Sequence, residues 1–198
     1  MKKSFLWDAS SRHFRSVLHN FRHYVVHFHN LNGLGVNLIL EAKHFGARTI
    51  CTVPDHWGVC AKNTLLFSKS EICDDFENRH LCVDNVLDES GKALLSRLRR
   101  DHVFHCLSKV DELVIPSRYL RDIYIAAGFD PTNLYYVSNG VELARFTEKG
   151  PESKTRPLHI AVIGYLGEHK GLDILLEAMD ELRADARSER PVEGVDRR

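Results

Sequence analysis

Apolar residues recur along this chain with two alternating rhythms, one helical and one extended. Phe14, Val17, Leu18 and Phe21 fall at i, i+3, i+4 and i+7, which predicts a helix over residues 10–22 with one apolar stripe. The next segment, Tyr24-Val25-Val26-His27-Phe28, is β-branched and aromatic and predicts a short strand. It runs into the turn-rich His29-Asn30-Leu31-Asn32-Gly33. A second helix is expected over about 34–45, ended by Gly46, whose freedom at positive φ suits a helix C-terminus. Residues 48–53 read as a buried strand that stops at Pro54. Strand, helix, strand implies a parallel sheet with a right-handed crossover.

The pattern then loosens and returns. Residues 54–86 are less regular and hold Cys60, Cys73 and Cys82, three of the five cysteines. A helix rich in basic residues, among them Arg97, Arg99 and Arg100, is expected over 89–108. Glu112–Ile115 reads as a strand. Ser117 caps a helix carrying Tyr119, Leu120, Ile123 and Tyr124, and Gly128 ends it. Asn133–Val137 is another strand. Residues 138–157 change character, with Ser138-Asn139-Gly140, Lys149-Gly150-Pro151 and Lys154-Thr155-Arg156-Pro157, and read as a linker. Beyond it the pattern predicts a strand at Leu158–Ile163, a glycine-bearing loop at Gly164–Gly171, and a helix from Leu172 to about Leu182. The stretch Ala184–Arg198 is nearly free of large apolar residues and is expected to be disordered.

Composition narrows the classes. With 198 residues, 43% of them hydrophobic, the chain can bury one sizeable core, or one core plus a fragment of another. Lys and Arg total 27 against 27 Asp and Glu, so a nucleic-acid binder driven by phosphate neutralisation is disfavoured. Met1-Lys2-Lys3-Ser4-Phe5-Leu6-Trp7-Asp8 has no apolar core of a secretory signal, and no run is long enough to span a bilayer. The expectation is a cytoplasmic protein with reduced thiols.

Four groups of residues could carry chemistry, each beside a bland alternative. The loop Gly164-Tyr165-Leu166-Gly167-Glu168-His169-Lys170-Gly171 lies between a strand and a helix, where phosphates bind in parallel α/β sheets. Lys170 would supply positive charge there; an ordinary glycine turn with a solvated lysine explains the spacing equally well. His27 and His29 alternate to one face of a strand and could line a cleft, or serve as satisfied structural histidines. Cys60, Cys73 and Cys82 with His80 or His56 could hold zinc, but tight paired chelates are missing and free thiols are preferred, so no metal is expected. The arginines near 97–100 could meet anionic lipid headgroups or form a solvated helix face. The Glu181 and Glu189 pair is read as accidental.

Taken in order, these stretches resemble glycosyltransferase family 4. Gly164–Gly171 with Leu172-Asp173-Ile174-Leu175-Leu176-Glu177-Ala178 is similar to the family's G-R-L-x-x-x-K-G loop and apolar helix. Ser138-Asn139-Gly140-Val141-Glu142 with Phe146 resembles its P-N-G-V-D-x-x-x-F linker, Ser117–Gly128 its S-x-x-x-x-x-x-Y-x-x-x-G helix, and His27-Phe28-His29-Asn30 its H-x-H strand end. The match covers roughly residues 20–180.

The resemblance implies an α/β fold of the two-domain GT-B type: a Rossmann-like parallel sheet from the amino-terminal domain, plus the first β-α unit of a second. On that reading residues 1–140 are part of an acceptor-side domain, 141–157 a linker, 158–183 the start of a donor-side domain, and 184–198 a disordered tail. It implies retaining transfer of a sugar from a nucleotide-sugar donor to an acceptor glycan, lipid or small molecule, without a cofactor. Lys170 would stabilise charge on the leaving phosphate. Gly164, Tyr165, Gly167 and Asn139 would join it at the donor, with His27, His29, Asn30 and His56 on the acceptor side. Two positions depart from the family: Tyr165 stands where an arginine is usual, and Pro54 where the family often has a histidine.

The expected partners therefore include no nucleic acid, with peripheral membrane contact and self-association through the second region left open. Without the family's donor carboxylates, the isolated chain is expected to transfer no sugar. A non-catalytic remnant or binding protein with the same fold is the alternative. A nicotinamide oxidoreductase is excluded for want of a GxGxxG loop.

Overall fold

The computed structural model describes residues 8–22, 24–31, 33–66, 71–76, 85–87, 93–146, 160–165 and 167–188. The chain divides into two compact units, Met1–Leu143 and Ala144–Arg198. The first holds helices α1 (Asp8–Phe21), α2 (Leu38–Phe45), α3 (Ser96–Leu107) and α4 (Arg118–Ala126). Its strands are β1 (Val25–His29), β2 (Arg48–Thr52), β3 (Asn85–Leu87), β4 (Ala93–Leu95), β5 (Glu112–Ile115) and β6 (Leu134–Tyr136).

Strands β1, β2, β5 and β6 form one sheet in that order, and every pairing is parallel. The order runs in one direction only. Right-handed crossovers along such a sheet deliver their helices to a single face. One cluster accordingly joins Phe28, Cys51, Leu113, Ile115 and Leu134 of the strands to Ile39 of α2, Val103 and Leu107 of α3, and Leu120 and Tyr124 of α4. Alternation along the strands turns His27, His29, Ile50, Thr52, Val114 and Tyr135 to the opposite face, and none of them belongs to that core.

Local chemistry fixes the register at the amino ends of the strands. The backbone N–H and the hydroxyl of Thr49 donate to Asp111 Oδ2 at 2.7 and 2.9 Å, and the Asp111 N–H donates to Thr49 Oγ1 at 3.2 Å. Lys43 Nζ donates to the other carboxylate oxygen at 2.7 Å. Burial opposes the charge on Asp111, but these hydrogen bonds and the lysine outweigh it and hold the carboxyl below its usual range. Thr49 is fully buried and satisfied. Arg48 and Glu112 form an ion pair beside it.

Most of the sequence reading of this unit holds. Gly46 and Gly128 take φ of 90° and 93° after the helices they end, and Ser117 Oγ accepts from the Leu120 N–H at 3.1 Å. Several expectations need correction. Residues 34–37 form turns, so α2 starts at Leu38. The helix expected from residue 89 begins at Ser96, because Ala93–Leu95 pairs antiparallel with Asn85–Leu87. Phe21 does not share the stripe's burial: Leu18 is 1% exposed and Phe21 70%.

The second unit shows α5 (Leu172–Ser188), which extends past the expected end near Leu182 and into the tail expected to be disordered from residue 184. Ala184, Ala186 and Arg187 are good helix formers and need no core to continue the turn. Residues 189–198 and the expected linker core 147–157 lie outside the described residues. Of the strand expected at Leu158–Ile163, residues 160–163 are described and make no ladder. A strand is defined by a neighbour, and this unit has no other strand among its described residues.

Candidate functional site

In a parallel α/β sheet, the loops leaving the carboxyl ends of the strands are where ligands bind. Here that edge gathers His27 and His29 from β1, Thr52 and the following loop from β2, and Ser117 beyond β5. The His27 and His29 rings lie side by side, centroids 4.1 Å apart and tilted by 38°. Thr52 Oγ1 is 2.8 Å from His27 Nε2, a hydrogen bond whose direction follows the imidazole tautomer. Burial, then the neighbouring His29, lowers the pKa of His27, so its neutral form is favoured near neutral pH. A neutral imidazole offers one donor and one acceptor, suited to a hydroxyl of a polar ligand. Asn30 follows in the left-handed region at φ 47°, which turns the chain away from the strand.

The loop after β2 is built around Asp55. Its Oδ1 accepts from the Trp57 N–H at 3.0 Å and its Oδ2 from the Asn63 side chain at 2.9 Å. Tyr124, buried in α4, donates its hydroxyl to the Asp55 carbonyl at 3.3 Å. Burial pushes that phenol well above its usual range. Gly58 is required by this approach, since a Cβ there would lie 2.4 Å from the Tyr124 hydroxyl. His56 meets the Tyr119 ring edge-on at 6.2 Å. The loop is also clamped from α3: Arg99 Nη2 donates to the Trp57 carbonyl at 2.9 Å, with its guanidinium 5.2 Å from the centre of the indole.

In the second unit, Gly164, Tyr165 and Gly167 precede a 3-10 turn over Glu168–Lys170, closed by the Lys170 N–H donating to the Gly167 carbonyl at 2.9 Å. Lys170 is exposed. The Tyr165 and His169 rings lie 6.1 Å apart across Gly167, where an added Cβ would approach them to 2.8 and 2.9 Å. Asn139 belongs to the first unit, exposed in the irregular stretch after β6.

The structure therefore brings His27 and His29 together with Thr52, and packs His56 on Tyr119. Sequence reading missed Thr52, Trp57 and Arg99. Thr52 had a usable signal, since it follows the strand's inward Cys51 and shares the outward parity of the histidines. Arg99 is the larger correction. The arginines of α3 were expected to meet lipid headgroups or form a solvated face, and Arg97 does face water, but Arg99 is buried. It precedes Val103 and Cys106 by four and seven residues, which places it on the apolar stripe.

Among the described residues, no group of three or more His, Cys, Asp or Glu is disposed to hold a metal ion; Cys82 and His80 lie outside them. Cys51 and Cys106 are buried thiols, each pushed up to about 12 by burial. No helix among the described residues is long and apolar enough to cross a membrane. One family model, described as Glycosyltransferase Family 4, matches residues 2–145. No curated protein and no solved structure matches the chain.

Proposed function

The chain belongs to glycosyltransferase family 4, and from that premise we propose that it acts in retaining transfer of a sugar from a nucleotide-activated donor to an acceptor hydroxyl held at the carboxyl edge of its parallel sheet. The observation that carries the acceptor side is the joined His27, His29 and Thr52 set at that edge, with His27 kept neutral by burial and by its neighbour. A neutral imidazole tied to a hydroxyl can accept a hydrogen bond from a sugar or alcohol and orient its oxygen. On the donor side, Lys170 is assigned to the leaving phosphate, whose growing charge a positioned cation stabilises. Gly164, Tyr165, Gly167 and Asn139 are assigned to the donor as well. Tyr165 offers a single hydroxyl where the family usually has a guanidinium, which would weaken the grip on a diphosphate.

A second reading, a non-catalytic binding protein with this fold, rests on Pro54. Proline after Thr52-Val53 supplies neither an imidazole nor a backbone donor where the family often carries histidine. One experiment separates the two. The purified chain is incubated with a panel of nucleotide sugars and simple sugar alcohols, and both nucleotide release and ligand binding are followed. Release that falls by about 10²-fold or more in Lys170→Ala supports transfer and overturns the expectation that the isolated chain is inactive. Binding without release selects the second reading. Neither binding nor release sinks both.

A further inference from the structure

The amino ends of the parallel strands carry a second concave surface, at the opposite end of the sheet from the two histidines. An open groove of about 530 Å³ runs past the starts of β2, β5 and β6, lined by Lys43, Arg48, Asp111, Glu112, Asn133 and Tyr135. Its size falls in the range of small-molecule sites, roughly 300–1,000 Å³. The register places Arg48, Glu112 and Tyr135 on one face of the sheet, the face that bears His27, His29 and Thr52 at its other end. From Arg48 to Thr52, at about 3.3 Å per residue, the two ends lie roughly 13 Å apart.

The charges of the lining cancel. Lys43 and Arg48 supply two cations, Asp111 and Glu112 two anions, and each cation is paired: Lys43 with Asp111, Arg48 with Glu112. An incoming phosphate would meet a carboxylate beside each cation, and a metal ion a cation beside each carboxylate. Neither is favoured. The mainly polar wall gives an apolar ligand little to bury against. A neutral ligand rich in hydroxyls fits. Each hydroxyl both donates and accepts, so it can take a hydrogen bond from a cation and give one to the carboxylate next to it. The ion pairs hold these groups in place beforehand, which lowers the cost of ordering them. In the second pair Arg48 Nη2 donates to Glu112 Oε1, which leaves other guanidinium donors and Oε2 for a ligand. Tyr135, 48% exposed, adds a ring whose face can cover the C–H side of a sugar.

We propose that this groove is a binding site for a neutral oligosaccharide, separate from the histidine edge. The inference goes beyond the transfer reading, because the charge balance and the lining select the ligand, not the reaction. The shared sheet face would also let one extended acceptor chain rest in the groove while its end lies at His27 and His29. Sugar binding is measured with no donor present, so its failure leaves the transfer reading standing.

The test titrates the intact chain with maltose and with cellobiose, each too short to occupy both ends of the sheet, and follows backbone amide shifts by NMR. Saturable binding of at least one, in the millimolar range, is expected, with the largest shifts at residues 46–48, 111–113 and 133–136. Tyr135→Ala should weaken it about tenfold (about 1.4 kcal/mol), whereas Tyr135→Phe, which keeps the ring, should stay within about threefold. Arg48→Gln, at an exposed side chain, should cost about threefold by removing the forked donor. If Tyr135→Ala does not fold by circular dichroism, Arg48→Gln decides alone. No saturable binding of either sugar, or unchanged affinity in the deciding variant, overturns the proposal. Binding lost in His27→Gln and kept in Tyr135→Ala would place the sugar at the histidine edge and overturn it as well. Glucose 1-phosphate should bind no tighter than maltose; tighter binding that weakens with salt would overturn the assignment to a neutral ligand.

Discussion

Residues 112–115 and 160–163 carry similar apolar signatures, yet the two regions end in opposite states. In β5, Leu113 and Ile115 are among the most buried residues of the protein, between parallel neighbours and beneath α3 and α4. In the second unit, Ile163 is 97% exposed, and Ile160 and Val162 are more than half exposed. Helix α5 repeats the contrast with α4: Tyr124 is fully buried, whereas Ile174, Leu176 and Leu182 face water. A strand signal in the sequence states a preference. Burial follows only where a second surface is supplied, because one β-α unit removes too little apolar area from water to offset the ordering of its backbone.

The largest expected effect that could break this comparison is in hydrogen exchange. Amides of β1, β2 and β5 should exchange at least about a thousandfold more slowly than those of residues 160–163, given domain stabilities of several kcal/mol. Equal protection in the two regions, in a chain shown to be monomeric, would remove the contrast. Next in size is a pair of truncations. Ile115→Ala should cost about 2–5 kcal/mol in chemical denaturation, and Ile163→Ala less than about 0.5 kcal/mol. Similar costs would mean that Ile163 is buried in solution.

Polar devices of the first unit give intermediate effects. Thr49→Val removes the buried hydroxyl that donates to the Asp111 carboxylate and accepts from its N–H, leaving the backbone and Lys43 bonds in place, and should cost about 1–3 kcal/mol, while Ser117→Ala should cost about 1 kcal/mol by uncapping α4. A larger loss for Ser117 than for Thr49 would reverse this ranking. Buried thiols sharpen it further: Cys51 and Cys106 should resist iodoacetamide in the folded chain, while the partly exposed Cys73 reacts. Mass mapping that finds Cys106 labelled first would contradict the core described above.

The smallest effects are those of pH. The native carboxyl of Asp111 lies below its ordinary value of 3.8, so its contribution is full above that value and is lost as pH falls through the lower native one. Asp111→Asn should therefore be less stable than the parent at neutral pH, with the gap closing below about pH 4. His27 and His102 are shifted the other way for a base: burial first, then a neighbouring histidine, lowers each below 6.5. The unfolded chain then takes up protons that the native one resists, so stability falls as pH drops below 6.5. Thermal unfolding at pH 7.5 and 5.5 measures it, and His102→Gln should flatten part of the slope. An unchanged slope would place the cause elsewhere.

Much of the first unit was legible because its signals are local. A β-branched run, a glycine at positive φ and a serine three residues before its N–H partner each act within a few residues. The pairing of His27 with His29 follows from strand parity alone. Thr52 as their partner does not, because it depends on β1 lying beside β2 in a register that brings residues 25 apart in sequence within 2.8 Å. Arg99 was misread for a related reason: charge suggested water, whereas the helical phase set by Val103 and Cys106 turned it inward.

The amino-acid order by itself determined the alternation of helices with the four parallel strands of the first unit, the carboxyl ends of α2 and α4, and the face on which the two histidines stand, since all are set by steric and hydrogen-bonding preferences of neighbouring residues. Tertiary structure alone decided which apolar segments became core, that all described crossover helices cover one side of the sheet, and that a guanidinium came to lie against Trp57 out of water. Those outcomes depend on surfaces distant in the chain, and the free energy of burying a group is set by what meets it.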